Sequence, residues 1–188
     1  MSKFEIVNGE YVLDITLDEA HILINLAEQL LELLGEGNIP HHYDSTDPFA
    51  QLMSSMSDGN FGGEVAPPED AVLKRLLPNA YADPEASADF RRYTEQSIRD
   101  KKVETLTAIR RELAAIVDAD KAGLIEDLDA YQWLLGLNDL HLALAVRLEA
   151  DESSYDHFES LPDEDPQKAI YAVYFWLGWL QESLLKLM

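Results

Sequence analysis

The run PEASADFRRYTEQSIRDKKVETLTAIRRELAAIVD, residues 84–118, decides the architecture. Asp83 supplies a side-chain cap and Pro84 a first-turn proline, and neither Gly nor Pro interrupts residues 85–118. A helix over 84–118 at ~1.5 Å per residue is a rod of roughly 50 Å. That exceeds the ~40 Å diameter that the radius-of-gyration rule gives a chain of 188 residues, so the rod must bend, break or protrude. The expected fold is mainly α: a single helical-bundle-like domain over 1–188 built on this long central helix.

The flanking sequence adds shorter elements. Phe4-Glu5-Ile6-Val7 and Tyr11-Val12-Leu13-Asp14-Ile15 are β-type runs on either side of Asn8-Gly9, which suits the positive φ angles of a tight turn, so 3–15 reads as a β-hairpin. Thr16-Leu17-Asp18-Glu19 matches a capping box, and Ala20, Leu23, Ala27, Leu30, Leu31 and Leu34 recur at helical spacing, predicting a helix over 17–35. Residues 38–68 read mostly as loop, with Asp47-Pro48 opening a short helix to about Ser55. Pro68 to Leu77 can form another before Pro78. A helix over 127–150 carries Trp133, Leu137, Leu140, Leu144 and Leu148 in one stripe, with Leu135 and Leu142 opposite, implying burial nearly all round. The acidic stretch 151–164 reads mostly as loop. Asp165-Pro166 then opens a helix over 166–187 with Ile170, Val173, Leu177, Leu180, Leu184 and Leu187 on one face.

Composition excludes several functions. Hydrophobic residues at 47% and charged residues at 27% fit a folded globule. With no cysteine, the chain has no disulfide, thiolate metal site or thiol switch. There is no signal-peptide pattern, and the longest apolar stretch, Ala169 to Leu180, is too short to span a bilayer. A cytoplasmic address without membrane insertion is therefore the expectation. Fourteen basic against 36 acidic residues give a formal charge of −22, which repels phosphate backbones and opposes direct nucleic-acid binding.

The charge is segregated. Lys74, Arg75, Arg91, Arg92, Arg99, Lys101, Lys102, Arg110 and Arg111 share their window with only six acids, a local +3 that leaves −25 for the rest. On a helix, Arg92, Arg99 and Arg110 fall within about 20° of one line beside the apolar residues Ile98, Leu106, Ile109 and Leu113. Together with Lys102 they form a candidate partner-binding ridge, set against the plainer reading that they pair with the protein's own acids. The eight acids between Glu149 and Asp165 have no calcium-loop spacing. They read as a solvated loop, or as a segment that folds over the ridge.

Asn138 and Asp139 interrupt an apolar helix, and a buried carboxylate needs a cation. A structural network of Arg91, Arg92, Asn138, Asp139 and Arg147 is the expectation, locking the long helix to the Trp133 helix. His41-His42 with Asp44 lacks a third ligand and helical spacing, so no metal site is assigned. His21 and His141 read as packing residues. No catalytic grouping and no cofactor motif stands out, so the chain is read as a non-enzyme. The aromatic residues of the last helix suit core packing or a homodimer equally.

Three stretches carry a resemblance: Leu76-Leu77-Pro78-Asn79-Ala80-Tyr81, Asp89-Phe90-Arg91-Arg92-Tyr93-Thr94-Glu95 and Trp133-Leu134-Leu135-Gly136-Leu137-Asn138-Asp139-Leu140. With Asp47-Pro48, the terminal Leu177-Gly178-Trp179-Leu180-Gln181-Glu182 and the overall length, the chain resembles the actinobacterial AosR-like family, formerly a domain of unknown function. The resemblance implies a cytoplasmic, transcription-associated regulator of the oxidative-stress response. In that family the regulator works through a closely spaced cysteine pair and a sigma-factor partner. This chain departs from the family pattern in having no thiol, in His141 where Arg is usual, and in Ala145 where Gly is usual. What carries over is the scaffold and its use as a protein-binding adaptor without a thiol switch. The alternatives are a direct DNA-binding transcriptional regulator and a Clp proteolysis-associated adaptor, the latter from the family's gene neighbourhood.

Overall fold

A computed structural model describes residues 2–36, 67–119 and 123–188. The expected helix near 47–55 and His41, His42 and Asp44 lie outside the described residues.

Strands β1 (Lys3–Val7) and β2 (Glu10–Ile15) pair antiparallel, with Lys3 opposite Asp14 and Val7 opposite Glu10. Asn8 and Gly9 take φ of 55° and 91°, the left-handed turn that the Asn-Gly dipeptide favours. A third strand, β3 (Gly123–Ile125), adds to β2, giving the order β1-β2-β3. Three residues are too few to display a two-residue period, so this strand has no signature in the sequence.

Helix α1 (Leu17–Glu36) starts at the expected capping box: Thr16 Oγ1 accepts from Glu19 N at 3.3 Å, and Glu19 Oε2 accepts from Thr16 N at 3.1 Å. Burial pushes the Glu19 carboxyl up, but hydrogen bonds from Ser2 and Thr16 outweigh it and bring its pKa down to about 2. α2 (Ala71–Leu76) is capped by Asp70 and ends before Pro78, as the proline requires. α3 (Pro84–Asp118) is one continuous helix of 35 residues, with Asp83 accepting from Ala86 N at 3.1 Å. Of the three outcomes open to a rod of that length, a break within these bounds is therefore excluded.

α4 runs from Ala130 to Arg147, shorter at both ends than the expected 127–150. Asp127 and Glu149 take φ of 52° and 50°, and neither residue can be helical there. Within 151–164 a seven-residue helix, α5 (Ser154–Ser160), replaces the expected loop. Tyr155 and Phe158 set their rings 5.6 and 5.4 Å from Phe175, an aromatic contact that outweighs weak local propensity. The acidic segment thus packs on α6 (Pro166–Leu185), where Lys168 also pairs with Asp163 at 2.7 Å.

One core joins Phe4, Leu13 and Ile15 of the sheet to Leu23, Leu30 and Leu34 of α1, Leu106, Ile109 and Leu113 of α3, Trp133 and Leu137 of α4, and Leu177, Leu180 and Leu184 of α6. Ile98, Leu135 and Ile170, expected on buried faces, are exposed at 37%, 41% and 44%, so α4 is not buried all round. No helix among the described residues is long and apolar enough to cross a membrane.

α3 and α4 cross antiparallel at Gly136, where an added Cβ would stand 2.2 Å from Ile109 Cδ1. Gly136→Ala gains ~1 kcal/mol of helix propensity but overpacks the crossing by about 1–3 kcal/mol. A net fall in melting temperature is expected, and Ile109→Val, which deletes the clashing atom, should recover it. A variant that melted higher than the parent would show that the crossing has slack.

Candidate functional site

The residues buried along α3 change character midway. From Leu106 onward they are Leu106, Ile109 and Leu113; before it they are Ser87, Arg91 and Arg99. The N-terminal half is thus held by polar anchors, and a buried guanidinium must be fully satisfied to be tolerated.

Glu95 sits four residues from both arginines and serves both. Its Oε2 takes Arg91 Nη1 at 2.8 Å, while Oε1 takes Arg99 Nε at 3.0 Å and Nη2 at 2.9 Å. Arg91 Nη2 also donates to Asn79 Oδ1 at 2.5 Å, tying the 77–81 turn to the helix. Arg99 Nη1 donates to the Leu34 carbonyl at 3.1 Å. That carbonyl lies in the last turn of α1, which has no basic residue of its own, so Arg99 satisfies an orphan acceptor at the negative end of that helix.

Farther along, Lys102 Nζ donates to Asp139 Oδ1 on α4 at 2.7 Å, and Glu112 accepts the Trp133 indole N–H at 2.7 Å. Burial pushes the Asp139 carboxyl above its ordinary value, with Lys102 pulling it back only in part. A carboxyl raised in the folded state contributes most below its unfolded pKa, and its contribution declines as pH rises through the folded value.

The expected ridge is therefore not one exposed strip. Arg99 is only 4% exposed, Lys102 is committed to Asp139, Arg92 pairs with Asp89 at 3.5 Å, and Arg110, which is exposed, bridges to Glu28 at 3.2 Å. The expected network is likewise redistributed. Asp139 does lock α3 to α4, but through Lys102, because the antiparallel register places that residue opposite it. Arg91 turns to Asn79 and Glu95, Arg147 to Asp70 at 2.8 Å, and Asn138 accepts from Gln181 at 3.2 Å. The spacing of Arg91, Glu95 and Arg99 was the sequence signal for the buried triad.

What α3 presents to solvent is different. Phe90, Tyr93, Lys101, Glu104 and Arg111 are exposed and lie within about 80° of one another at ~100° per residue. Tyr93 is 79% exposed, and Phe90 meets exposed Tyr81 edge-on at 5.8 Å. Single exposed aromatics are ordinary, whereas Tyr81, Phe90 and Tyr93 form a small exposed group at the N-terminal end of this face.

Of the two helical histidines, His21 is exposed, its Nδ1 2.7 Å from the Leu17 carbonyl. His141 is half-buried, its ring 4.5 Å from that of Tyr174 and hydrogen-bonded to Gln181, and burial lowers its pKa below 6.5. A lowered folded pKa gives stability that is present above pH 6.5 and lost as pH falls. His141→Phe should flatten the decline of melting temperature below pH 6.5. An unchanged slope would remove His141 as its source.

The sequence profile of the family described as Domain of unknown function (DUF2017) matches residues 1–188. The chain is 32% identical over 181 residues to a putative oxidative stress regulator AosR of Mycobacterium leprae, covering 89% of this chain and 77% of that protein. It is 32% identical over 178 residues to the oxidative stress regulator AosR of Mycobacterium tuberculosis, with the same shares covered. No solved structure matches it significantly.

Proposed function

The chain belongs to the DUF2017 family, and from that premise we propose that it is a regulatory protein of the oxidative-stress response that acts by binding a protein partner rather than by catalysis. The mycobacterial relatives carry the name of oxidative stress regulators, which supports the role. With no cysteine this sequence has no thiol switch, and the part proposed for it is recognition.

The observation that carries the binding reading is the outward face of α3, where exposed Phe90 and Tyr93 share an arc with Lys101, Glu104 and Arg111, on a body of net charge −22. Arg92 and Arg110 lie on the other side of α3, on the line of Arg99, which together with Lys102 fixes the helix to the body. The outward face suits an acidic protein surface, and a sigma factor, the partner implied by the family resemblance, is the first to test. The surrounding negative charge opposes DNA.

Tyr93→Ala combined with Lys101→Glu and Arg111→Glu should lower recovery of a specific partner by about ten-fold in quantitative affinity capture, without moving the melting temperature. Equal recovery would refute this contact surface. Tight binding of the isolated chain to a promoter duplex at physiological ionic strength would replace protein recognition with DNA recognition.

A further inference from the structure

α1 carries more apolar surface than the core consumes. Ala20, Leu23, Ala27, Leu30 and Leu34 are buried, yet Ile22, Leu26 and Leu33 form a second line beside them. Two clefts adjoin along this line and share Leu26 and Leu144. One, of about 300 Å³, lies between α1, α2 and α4; the other, of about 380 Å³, lies between α1, α4 and α6 and is almost wholly apolar. Together they make one open trough whose α1 wall, from Ile22 to Leu33, is about 16 Å long at ~1.5 Å per residue. Its rim leaves Ile22 and Ile170 exposed at 36% and 44%.

A site for a small molecule encloses most of its ligand, whereas an open apolar trough three helical turns long accepts a helix laid lengthwise with anchors one turn apart. The charges around it select the helix. Arg147, the only Lys or Arg among the described lining residues, is paired with Asp70, and Lys168, beside Ala169, with Asp163, while Glu32 lines the trough, Asp18 lies one turn before Ile22, and Glu164 precedes α6. The chain outside residues 74–111 carries −25, a field that draws in cations. We propose that this trough binds a basic amphipathic helix of a protein partner, its apolar stripe seated on Leu26 and Leu144 and its Lys or Arg residues toward the acidic rim. The trough is separate from the outward face of α3, so the two surfaces can be tested independently.

The probe is a fluorescent peptide of about 14 residues with Leu at i, i+3, i+4 and i+7 and Lys on both flanks, titrated at physiological ionic strength beside the same peptide with Glu flanks. The Lys peptide should bind, and Ile22→Gln with Ile170→Gln should weaken it about ten-fold, with Ile170→Gln alone giving part of that loss. Both positions are exposed and neutral substitution leaves the electrostatics intact, so a retained melting temperature is expected. The Tyr93→Ala, Lys101→Glu, Arg111→Glu variant should bind the peptide as the parent does, even if the α3 reading fails. No binding of the Lys peptide, equal binding of the Glu peptide, indifference to the Ile substitutions or loss in the α3 variant would each overturn the proposal.

Discussion

Arg99→Ala is expected to destabilise the protein by about 3–5 kcal/mol, the cost of breaking a buried ion pair by removing one partner. The substitution strands two acceptors at once: Glu95 Oε1, which loses two donors, and the Leu34 carbonyl at the end of α1. For a chain of this size each kcal/mol moves the melting temperature by roughly 2–4 °C, so a fall on the order of 10 °C should be seen by circular dichroism. Arg99→Lys should recover little, because an ammonium cannot present the planar fork that spans carboxylate and carbonyl together. Arg110→Ala, whose exposed pair with Glu28 is worth ~0–1 kcal/mol, is the control. A melt for Arg99→Ala within a degree or two of the control would refute the anchoring role.

The second large effect concerns Asp139. Asp139→Ala leaves Lys102 without its partner beside α4, and a loss of about 3 kcal/mol is expected, at the low end for a buried pair because the Lys102 side chain is 19% exposed and can reach water. Since burial already holds the Asp139 carboxyl above its ordinary value, desolvation outweighs the attraction of Lys102. Replacing both, Lys102→Met with Asp139→Leu, should therefore come within about 1 kcal/mol of the parent and recover most of the single-variant loss. Denaturant titration of the parent, Lys102→Met, Asp139→Leu and the double variant measures the coupling directly. Additive losses would mean that the two side chains do not interact.

These two anchors mark where sequence reasoning stopped. The Asn8-Gly9 turn, the Thr16 to Glu19 capping box and the Asp83-Pro84 start were legible because each is a contact between near neighbours in the chain, and the structure places all three where the sequence did. That Asp139 needs a cation was also legible, since a carboxylate inside an apolar helix is costly. Which cation it takes depends on how α3 and α4 align, and no local rule contains that register. β3 and α5 escaped for a similar reason. Gly123–Ile125 is strand only because β2 pairs with it, and α5 packs through Tyr155 and Phe158 on Phe175. The ridge drawn through Arg92, Arg99 and Arg110 followed correct helical angles, but angle alone does not say which side of a helix faces Leu34.

The cationic surplus of residues 74–111 is thereby used largely within the molecule, leaving an outward face on which Phe90, Tyr93, Lys101, Glu104 and Arg111 are exposed. That central claim is tested most directly by hydrogen–deuterium exchange along α3 in the parent and in Arg99→Ala. If polar anchors hold its N-terminal half, amides between residues 88 and 103 should lose more protection than those around Leu106 to Leu113, whose loss is limited to the fall in global stability. Protection lost evenly along the helix, or not lost at all, would contradict it.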